Sequence, residues 1–109
     1  MANKIEKLIR LLEDATELLR SHGVNGWADW LSRDVEYLKK RDFYGIKHLL
    51  SAFGGMGSFN DVIICPENEH NILESDVERV NQRLDELQNE IYLLAKQIKK
   101  ETWFGRLKE

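Results

Sequence analysis

The residues best suited to chemistry in this sequence lie around a glycine-rich stretch in its middle. Ser58, Asn60 and Asp61 follow residues 54–57, Gly-Gly-Met-Gly, and His48 precedes them by one short segment. A serine with a histidine and a carboxylate nearby can form a nucleophilic catalytic site. Glycine-rich backbone can also present N–H groups to a phosphate or a carboxylate. Both kinds of chemistry therefore have to be weighed for this stretch.

The sequence context favours a structural turn at Gly54, Gly55 and Gly57. Known phosphate-binding glycine loops follow a strand and open a helix, whereas this stretch follows a helical pattern and opens an extended one. The pattern is also not the G-x-S-x-G of a nucleophile elbow. We therefore predict positive φ at Gly54 or Gly55 and at Gly57. Ser58, Asn60 and Asp61 are expected to bond to the local backbone, with a binding role left open.

The histidines and the single cysteine give no specific metal signature. Three histidines lie in three separate segments, and the loop motif Glu67-x-Glu69-His70 lacks a second group of ligands at metal-binding spacing. Cys65 lies in an apolar run, where a buried small side chain is the usual role. The sequence thus predicts no metal, no cofactor and no enzymatic activity.

Helical periodicity dominates the rest of the chain. Apolar residues spaced by three and four predict a first helix over residues 4–21, which Gly23 ends. A second helix starts near Asn25 and a third near Asp42. A long helix runs from Asp76 to about Trp103, with an unbroken heptad seam over residues 77–98. Trp103, Phe104 and Leu107 are expected to fold back after its end.

One short segment breaks this helical pattern. Residues 62–65, Val-Ile-Ile-Cys, form a β-prone run that Pro66 closes. Their candidate partner is residues 71–73, which would make a small hairpin. The predicted fold is therefore mainly α: a four-helix bundle-like single domain over residues 1–109, with a glycine-rich turn and a short extended segment before the long C-terminal helix.

Composition narrows the class of protein. A chain of 109 residues with 42% hydrophobic and 32% charged residues and one cysteine is typical of a globular protein of a reducing cytosol. The net charge of −3 argues against nucleic-acid binding. The absence of a long apolar run argues against a membrane partner, and the N-terminal residues lack the apolar core of a signal peptide. The expected location is the cytoplasm.

The central motif resembles that of a known group of proteins. Residues 49–62, Leu-Leu-Ser-Ala-Phe-Gly-Gly-Met-Gly-Ser-Phe-Asn-Asp-Val, are similar to the signature of a family of small uncharacterised bacterial proteins. Those chains carry a similar core between a helical N-terminal half and a C-terminal helix. The small acidic members of that family look similar to immunity proteins that neutralise bacterial toxins. The resemblance implies a bundle and a binding function, with no assigned reaction.

The leading hypothesis is a non-enzymatic cytosolic binding protein, and more specifically an immunity protein that blocks a basic toxin domain such as a nuclease. Clustered acids steer a basic partner and can cover its substrate channel. The candidate acidic residues are Glu13, Asp14, Glu17, Glu67, Glu69, Glu74, Asp76 and Glu78. One alternative is a small enzyme or ligand-binding protein that uses residues 54–61 with His48. Another is a structural homodimer on the C-terminal helix, although a monomer is favoured.

Overall fold

The computed structural model describes the backbone of residues 2–54 and 56–108, and the side chains of residues 3–54 and 56–102. Four α-helices follow one another in the order α1 (Ala2–Ser21), α2 (Asn25–Lys39), α3 (Tyr44–Leu50) and α4 (Val77–Lys108). Short 3₁₀ turns lie at Phe59–Asp61, Pro66–Asn68 and Glu74–Asp76. The mainly helical, bundle-like fold predicted from the apolar spacing is confirmed.

Helix α1 lies between α2 and α4, while α3 packs on α2 and α4. Helices α1 and α4 run antiparallel, since Lys4 pairs with Glu101 near one end and Asp14 approaches Arg83 to 4.0 Å farther along. The molecule is elongated, with extents of 53 × 24 × 19 Å, because α4 spans most of its length.

A single apolar core joins the four helices, the glycine-rich turn and the extended segment. Its buried members are Ile5, Leu8, Ile9, Leu11, Leu12, Ala15, Leu19, Val24, Ala28, Leu31, Val35, Leu38, Ile46, Leu49, Ala52, Phe59, Ile64, Val80, Leu84, Leu87, Ile91, Ala95 and Ile98. The heptad seam of α4 supplies five of these side chains, and Ala95 of the same helix is a sixth, so the chain's own helices cover most of the seam. This arrangement is compatible with the favoured monomer, which stays a prediction.

Helices α2 and α3 meet at an unusually close contact. A Cβ added at Gly45 would lie 2.6 Å from the Tyr37 Cβ and 3.4 Å from the Asp34 carbonyl oxygen. The side chains of Tyr37 and Tyr44 then form an edge-to-face pair with ring centroids 5.2 Å apart. The absence of a side chain at Gly45 lets α3 lie against α2, and this brings His48 of α3 towards Asp34 of α2.

The predicted hairpin of residues 62–65 with residues 71–73 is wrong. No β-strand occurs in residues 2–54 or 56–108, although the backbone is extended at Val62 and Cys65, the two ends of this segment. The backbone of Ile64 bonds instead to the side chain of Asn81, and the backbone of Asn71 bonds to His22. Asn81 of α4 and His22, which follows α1, satisfy backbone groups that a second strand would have satisfied.

The long helix extends farther than the sequence pattern predicted. It continues to Lys108, so Trp103, Phe104 and Leu107 lie within its backbone rather than after its end. Whether their side chains fold back onto the core lies outside the described residues.

Candidate functional site

The glycine-rich turn is built on a buried phenylalanine. The Phe59 side chain is fully buried, and its ring lies 5.4 Å from that of Trp27 and 5.6 Å from that of Phe53, measured between centroids. The Phe59 N–H donates to the Ala52 carbonyl at 2.7 Å, and the buried Gln88 side chain donates Nε2–H to the Phe59 carbonyl at 2.7 Å. The turn is therefore attached to α2 by the ring contact with Trp27 and to α4 by the buried hydrogen bond from Gln88.

Asn60 and Asp61 bond to the local backbone of the turn, as the sequence predicted, and Ser58 bonds to the side chain of Asn60. The Gly54 N–H donates to Asn60 Oδ1 at 3.2 Å, and the Gly57 N–H donates to Asp61 Oδ2 at 3.0 Å. The Ser58 hydroxyl donates to the same Asn60 oxygen at 2.5 Å. These contacts hold the turn in shape, and a further binding role of the three side chains stays a prediction.

The turn uses glycine where the backbone requires it. Gly54 has φ +92° and Gly57 has φ +78°, which confirms the predicted positive values. Gly55 lies outside the described residues. A Cβ at Gly54 or Gly57 would have no atom within 4 Å, so the need for glycine there comes from the backbone conformation and not from crowding.

His48 does not join this polar group. Its Nδ1 lies 2.5 Å from Oδ1 of Asp34, and its ring stacks on Trp30 with a centroid distance of 4.1 Å. Asp34 is 0% exposed and the His48 side chain is 16% exposed. Burial raises the pKa of Asp34 to about 6, against the smaller opposing effects of the hydrogen bond and charge of His48. The nucleophilic arrangement of His48 with the turn, considered from the sequence, is thus replaced by a buried Asp–His pair.

Two polar atoms beside this pair lack a partner. Asp34 Oδ2 and Trp30 Nε1 are buried and make no hydrogen bond to any described residue. The two residues lie one helical turn apart on the same face of α2. Asp34 was not predicted as a site residue, although the sequence carries a signal for it: Asp34 falls in register with the apolar positions Leu31 and Leu38, and so on the buried face of α2.

A shallow groove lies between the turn and α4. Its volume is about 740 Å³, within the usual range for small-molecule sites. Its lining residues are Leu50, Phe53, Gly54, Asn60, Asp85, Gln88, Asn89, Tyr92, Lys96 and Lys99. Six of these follow one face of α4, and the others come from the end of α3 and the turn. Asn60 was predicted from the sequence as a binding residue, but the α4 residues were not, because a heptad pattern indicates only the buried face of a helix.

The predicted acidic residues form two separate surfaces. On α1, Glu13 lies 3.6 Å from Lys39 and Asp14 lies 4.0 Å from Arg83, so two of the three carboxylates in that cluster have basic neighbours. Glu17 lines a second groove between α1 and α2. The α1 cluster is therefore largely balanced by cations of adjacent helices.

The second acidic surface, here called the acidic loop, comprises Glu67, Glu69, Glu74, Asp76 and Glu78. Four of these residues are exposed, and Asp76 is half-buried. Within the described part of the chain, one ion pair involves this set, between Asp76 and Arg79 at 3.3 Å. The acidic loop therefore carries more carboxylates without an ion pair than the α1 cluster does.

Hydrogen bonds from four side chains hold the acidic loop in place. Asn68 donates to the Ile63 carbonyl at 3.0 Å, and the Cys65 N–H donates to His70 Nδ1 at 3.3 Å. At the other side His22 Nδ1 lies 2.8 Å from the Asn71 carbonyl oxygen, and Asn81 binds the backbone of Ile64. A loop with so many attachments presents its carboxylates in a defined arrangement.

Two properties of the described residues bear on the kind of site. They include no group of three or more His, Cys, Asp or Glu side chains that could hold a metal ion. The helices formed by these residues include none with the length and apolarity to cross a membrane.

The fold and the site together define a small helical bundle with a pinned acidic loop and a groove beside a glycine turn. Residues 20–73 match the model of a family described as a domain of unknown function, DUF6966. The matched part runs from the end of α1 through the glycine turn to the last residue before the 3₁₀ turn at Glu74–Asp76. No curated protein and no solved structure matches the chain.

Proposed function

We propose that this protein is a binding protein whose acidic loop docks on a basic surface of a partner protein. The observation that carries the proposal is the acidic loop itself, which holds five carboxylates within twelve residues with little compensation by cations. Such a surface accelerates encounter with a basic partner and disfavours acidic competitors.

The rigidity of the loop supports this function. A flexible acidic segment loses conformational entropy on binding, and that loss reduces affinity. Here Asn68, Asn81, His22 and His70 already fix the backbone around the carboxylates. The loop is thus organised before a partner arrives, which favours a specific complex over diffuse electrostatic attraction.

Charge is also distributed unevenly along α4. The acidic loop leads into the start of this helix, while Lys96, Lys99 and Lys100 lie in its second half. About eighteen residues separate Glu78 from Lys96, which corresponds to ~27 Å of helix. A basic partner is therefore oriented towards one end of the molecule as it approaches.

The finer proposal is that the partner is a bacterial toxin domain, such as a nuclease, and that the protein acts in the cytoplasm as its immunity protein. This proposal rests on the resemblance of the central motif to that of the uncharacterised bacterial family. It also rests on charge, because a nuclease binds its anionic substrate on a basic surface, and an acidic surface is complementary to it. Blocking by direct binding needs no reaction, which agrees with the absence of a recognised catalytic motif in the sequence.

The test is co-expression with toxic proteins encoded beside this gene, followed by purification and binding kinetics at several salt concentrations. We expect a stable complex, protection of the cells, and an association rate that falls as salt rises. Failure of every neighbouring product to bind and of the protein to protect would overturn the proposal.

Charge-reversed variants locate the surface. Glu67→Lys with Glu74→Lys should slow association by about tenfold or more, since rim charges act mainly on the association rate. Glu6→Lys with Glu90→Lys is the matched control, because it makes the same charge change on exposed helical positions outside the loop. Glu69 is left unchanged because it occupies a left-handed position at the end of a 3₁₀ turn, with φ +62°. Equal slowing by both double variants would show that net charge, and not the acidic loop, drives binding.

A further inference from the structure

We propose that the groove between the glycine turn and α4 is a binding site for a small aromatic anion of about mononucleotide size. The proposal concerns a surface separate from the acidic loop and does not depend on the partner proposed above. It rests on the chemistry of the groove wall, which combines aromatic rings, side-chain amides and uncompensated lysines.

The aromatic part of the groove is formed by Tyr92 and Phe53. Their ring centroids lie 5.1 Å apart with the planes at 52°, and both side chains are half-buried. Leu50 continues the same wall. A half-buried aromatic pair at the side of an open groove offers a face on which a planar ligand ring can pack.

The anionic part of the ligand is specified by Lys96 and Lys99. Both are exposed on the same face of α4, and neither has an ion pair with any described residue. The ammonium of Lys96 lies 5.6 Å from the centroid of the Tyr92 ring, so the cation is held beside the aromatic face. Like charges three residues apart on a helix repel each other modestly, and an anion between them would remove this cost.

Amides occupy the space between these two parts. Gln88 is only 6% exposed and still lines the groove, with its Nε2 committed to the Phe59 carbonyl. Asn89 is exposed beside it, and Asn60 faces it from the turn. The Oδ1 of Asn60 already accepts the Gly54 N–H and the Ser58 hydroxyl, so its amide N–H₂ is the group it can offer a ligand. Amides of this kind match the polar edges of a heteroaromatic ring.

The charges at the two ends of the groove orient an anionic ligand. Asp85 lines it eleven residues before Lys96, about 16 Å away along the helix axis. Its carboxylate repels an anion at that end, whereas the lysines attract it at the other. The ligand is therefore an aromatic ring carrying its phosphate or carboxylate on one side, and both acid groups satisfy the same chemistry.

The test is titration of the ¹⁵N-labelled full-length protein with defined probes, followed by NMR. The aromatic anions are adenosine monophosphate, cytidine monophosphate and indole-3-acetate, which separate a nucleotide from an aromatic carboxylate. Adenosine supplies a ring without an anion, and inorganic phosphate supplies an anion without a ring. We expect at least one aromatic anion to saturate shifts of groove amides, and the two partial probes to bind about tenfold more weakly or worse.

Two lysine variants provide the decisive comparison. Lys96→Gln with Lys99→Gln should weaken binding of the best aromatic anion about five- to tenfold, because each exposed charge contact is weak. Lys100→Gln is the control, since that neighbouring exposed lysine does not line the groove. A Tyr92→Leu variant, checked for folding by its amide spectrum, should also weaken binding.

The proposal is overturned if none of the three aromatic anions saturates at about 5 mM, a concentration at which even a weak ligand is detected. It is equally overturned if adenosine binds as tightly as adenosine monophosphate, or if the lysine double variant and the Lys100→Gln control bind alike. Saturating shifts confined to residues outside the groove would also reject the site.

Discussion

Asn81 makes both backbone hydrogen bonds of Ile64 with a single side chain. The Ile64 N–H donates to Asn81 Oδ1 at 2.8 Å, and Asn81 Nδ2–H donates to the Ile64 carbonyl at 2.7 Å. The same Nδ2 also donates to the Val77 carbonyl at 2.8 Å, one turn back in α4. The Asn81 side chain thus makes the hydrogen bonds that a neighbouring strand would make, and it attaches the segment of residues 62–65 to α4.

Asn81→Ala should lower the free energy of unfolding by about 1–3 kcal/mol, because it leaves the N–H and carbonyl of the fully buried Ile64 without partners. Asn81→Asp should also destabilise, since a carboxylate accepts from the N–H but cannot donate to the carbonyl. Urea unfolding measures both. Gln82→Ala, an exposed change on the same helix, is the control, and an Asn81→Ala effect as small as the control's would contradict this role.

Alanine substitutions at glycines of the turn and at a glycine of α2 should change the free energy of unfolding in opposite directions. Gly54→Ala and Gly57→Ala should each lower the free energy of unfolding by about 1 kcal/mol or more, because a Cβ is strained at positive φ. Gly26→Ala should raise it, by less than the roughly 0.5–1 kcal/mol of a mid-helix position, since Gly26 is exposed in the first turn of α2 and a Cβ there meets nothing within 4 Å. Thermal or urea unfolding of the three variants measures this contrast. Stabilisation by either turn substitution would show that the turn does not hold its conformation.

The buried Asp34 makes stability depend on pH in an unusual direction. Its pKa rises from 3.8 to about 6 in the folded protein, with burial as the main cause. The folded state therefore binds this proton at a higher pH than the unfolded state. The carboxylate's destabilising effect is full above about pH 6 and is lifted as pH falls towards 3.8.

The measurement for Asp34 is urea unfolding of the wild type and of Asp34→Asn at about pH 7.5 and about pH 4.5. The stability of the wild type relative to the variant should increase at the lower pH, by an amount on the order of 2 kcal/mol. In His48→Gln, NMR titration should show a still higher Asp34 pKa, because both effects of His48 lower it. A relative stability that is constant or grows with pH would be inconsistent with the raised value.

The indole N–H of Trp30 bonds to no described residue, so we predict that removing this N–H does not by itself lower the free energy of unfolding. Trp30→Phe keeps an aromatic ring against His48 but deletes a buried donor that bonds to no described residue. Removing the unsatisfied donor stabilises the folded protein, whereas replacing the indole by the smaller phenyl ring destabilises it. The two effects oppose each other, so the expected change in the free energy of unfolding is within about 1 kcal/mol. Trp30→Leu, which also loses the stacking on His48, should cost more. If Trp30→Phe costs as much as Trp30→Leu, the N–H has a partner, such as a buried water.

Local patterns in the sequence specify the helices well. Spacings of three and four residues place the apolar faces of α1 and α4, and glycine marks the end of α1 and the central turn. Positive φ at Gly54 and Gly57 follows from the same local reasoning. These features depend on residues only a few positions apart, whose relative geometry the backbone itself limits.

Contacts between residues that are far apart in the sequence depend on the tertiary structure. The β-prone residues 62–65 suggested a hairpin, yet Asn81, seventeen positions after Ile64, supplies the partner. Asp34 lies in register with an apolar face, yet it is the packing of α3 at Gly45 that sets His48 beside it. Helical periodicity states which residues share a face but not which faces meet, because that choice depends on how all four helices fill one core.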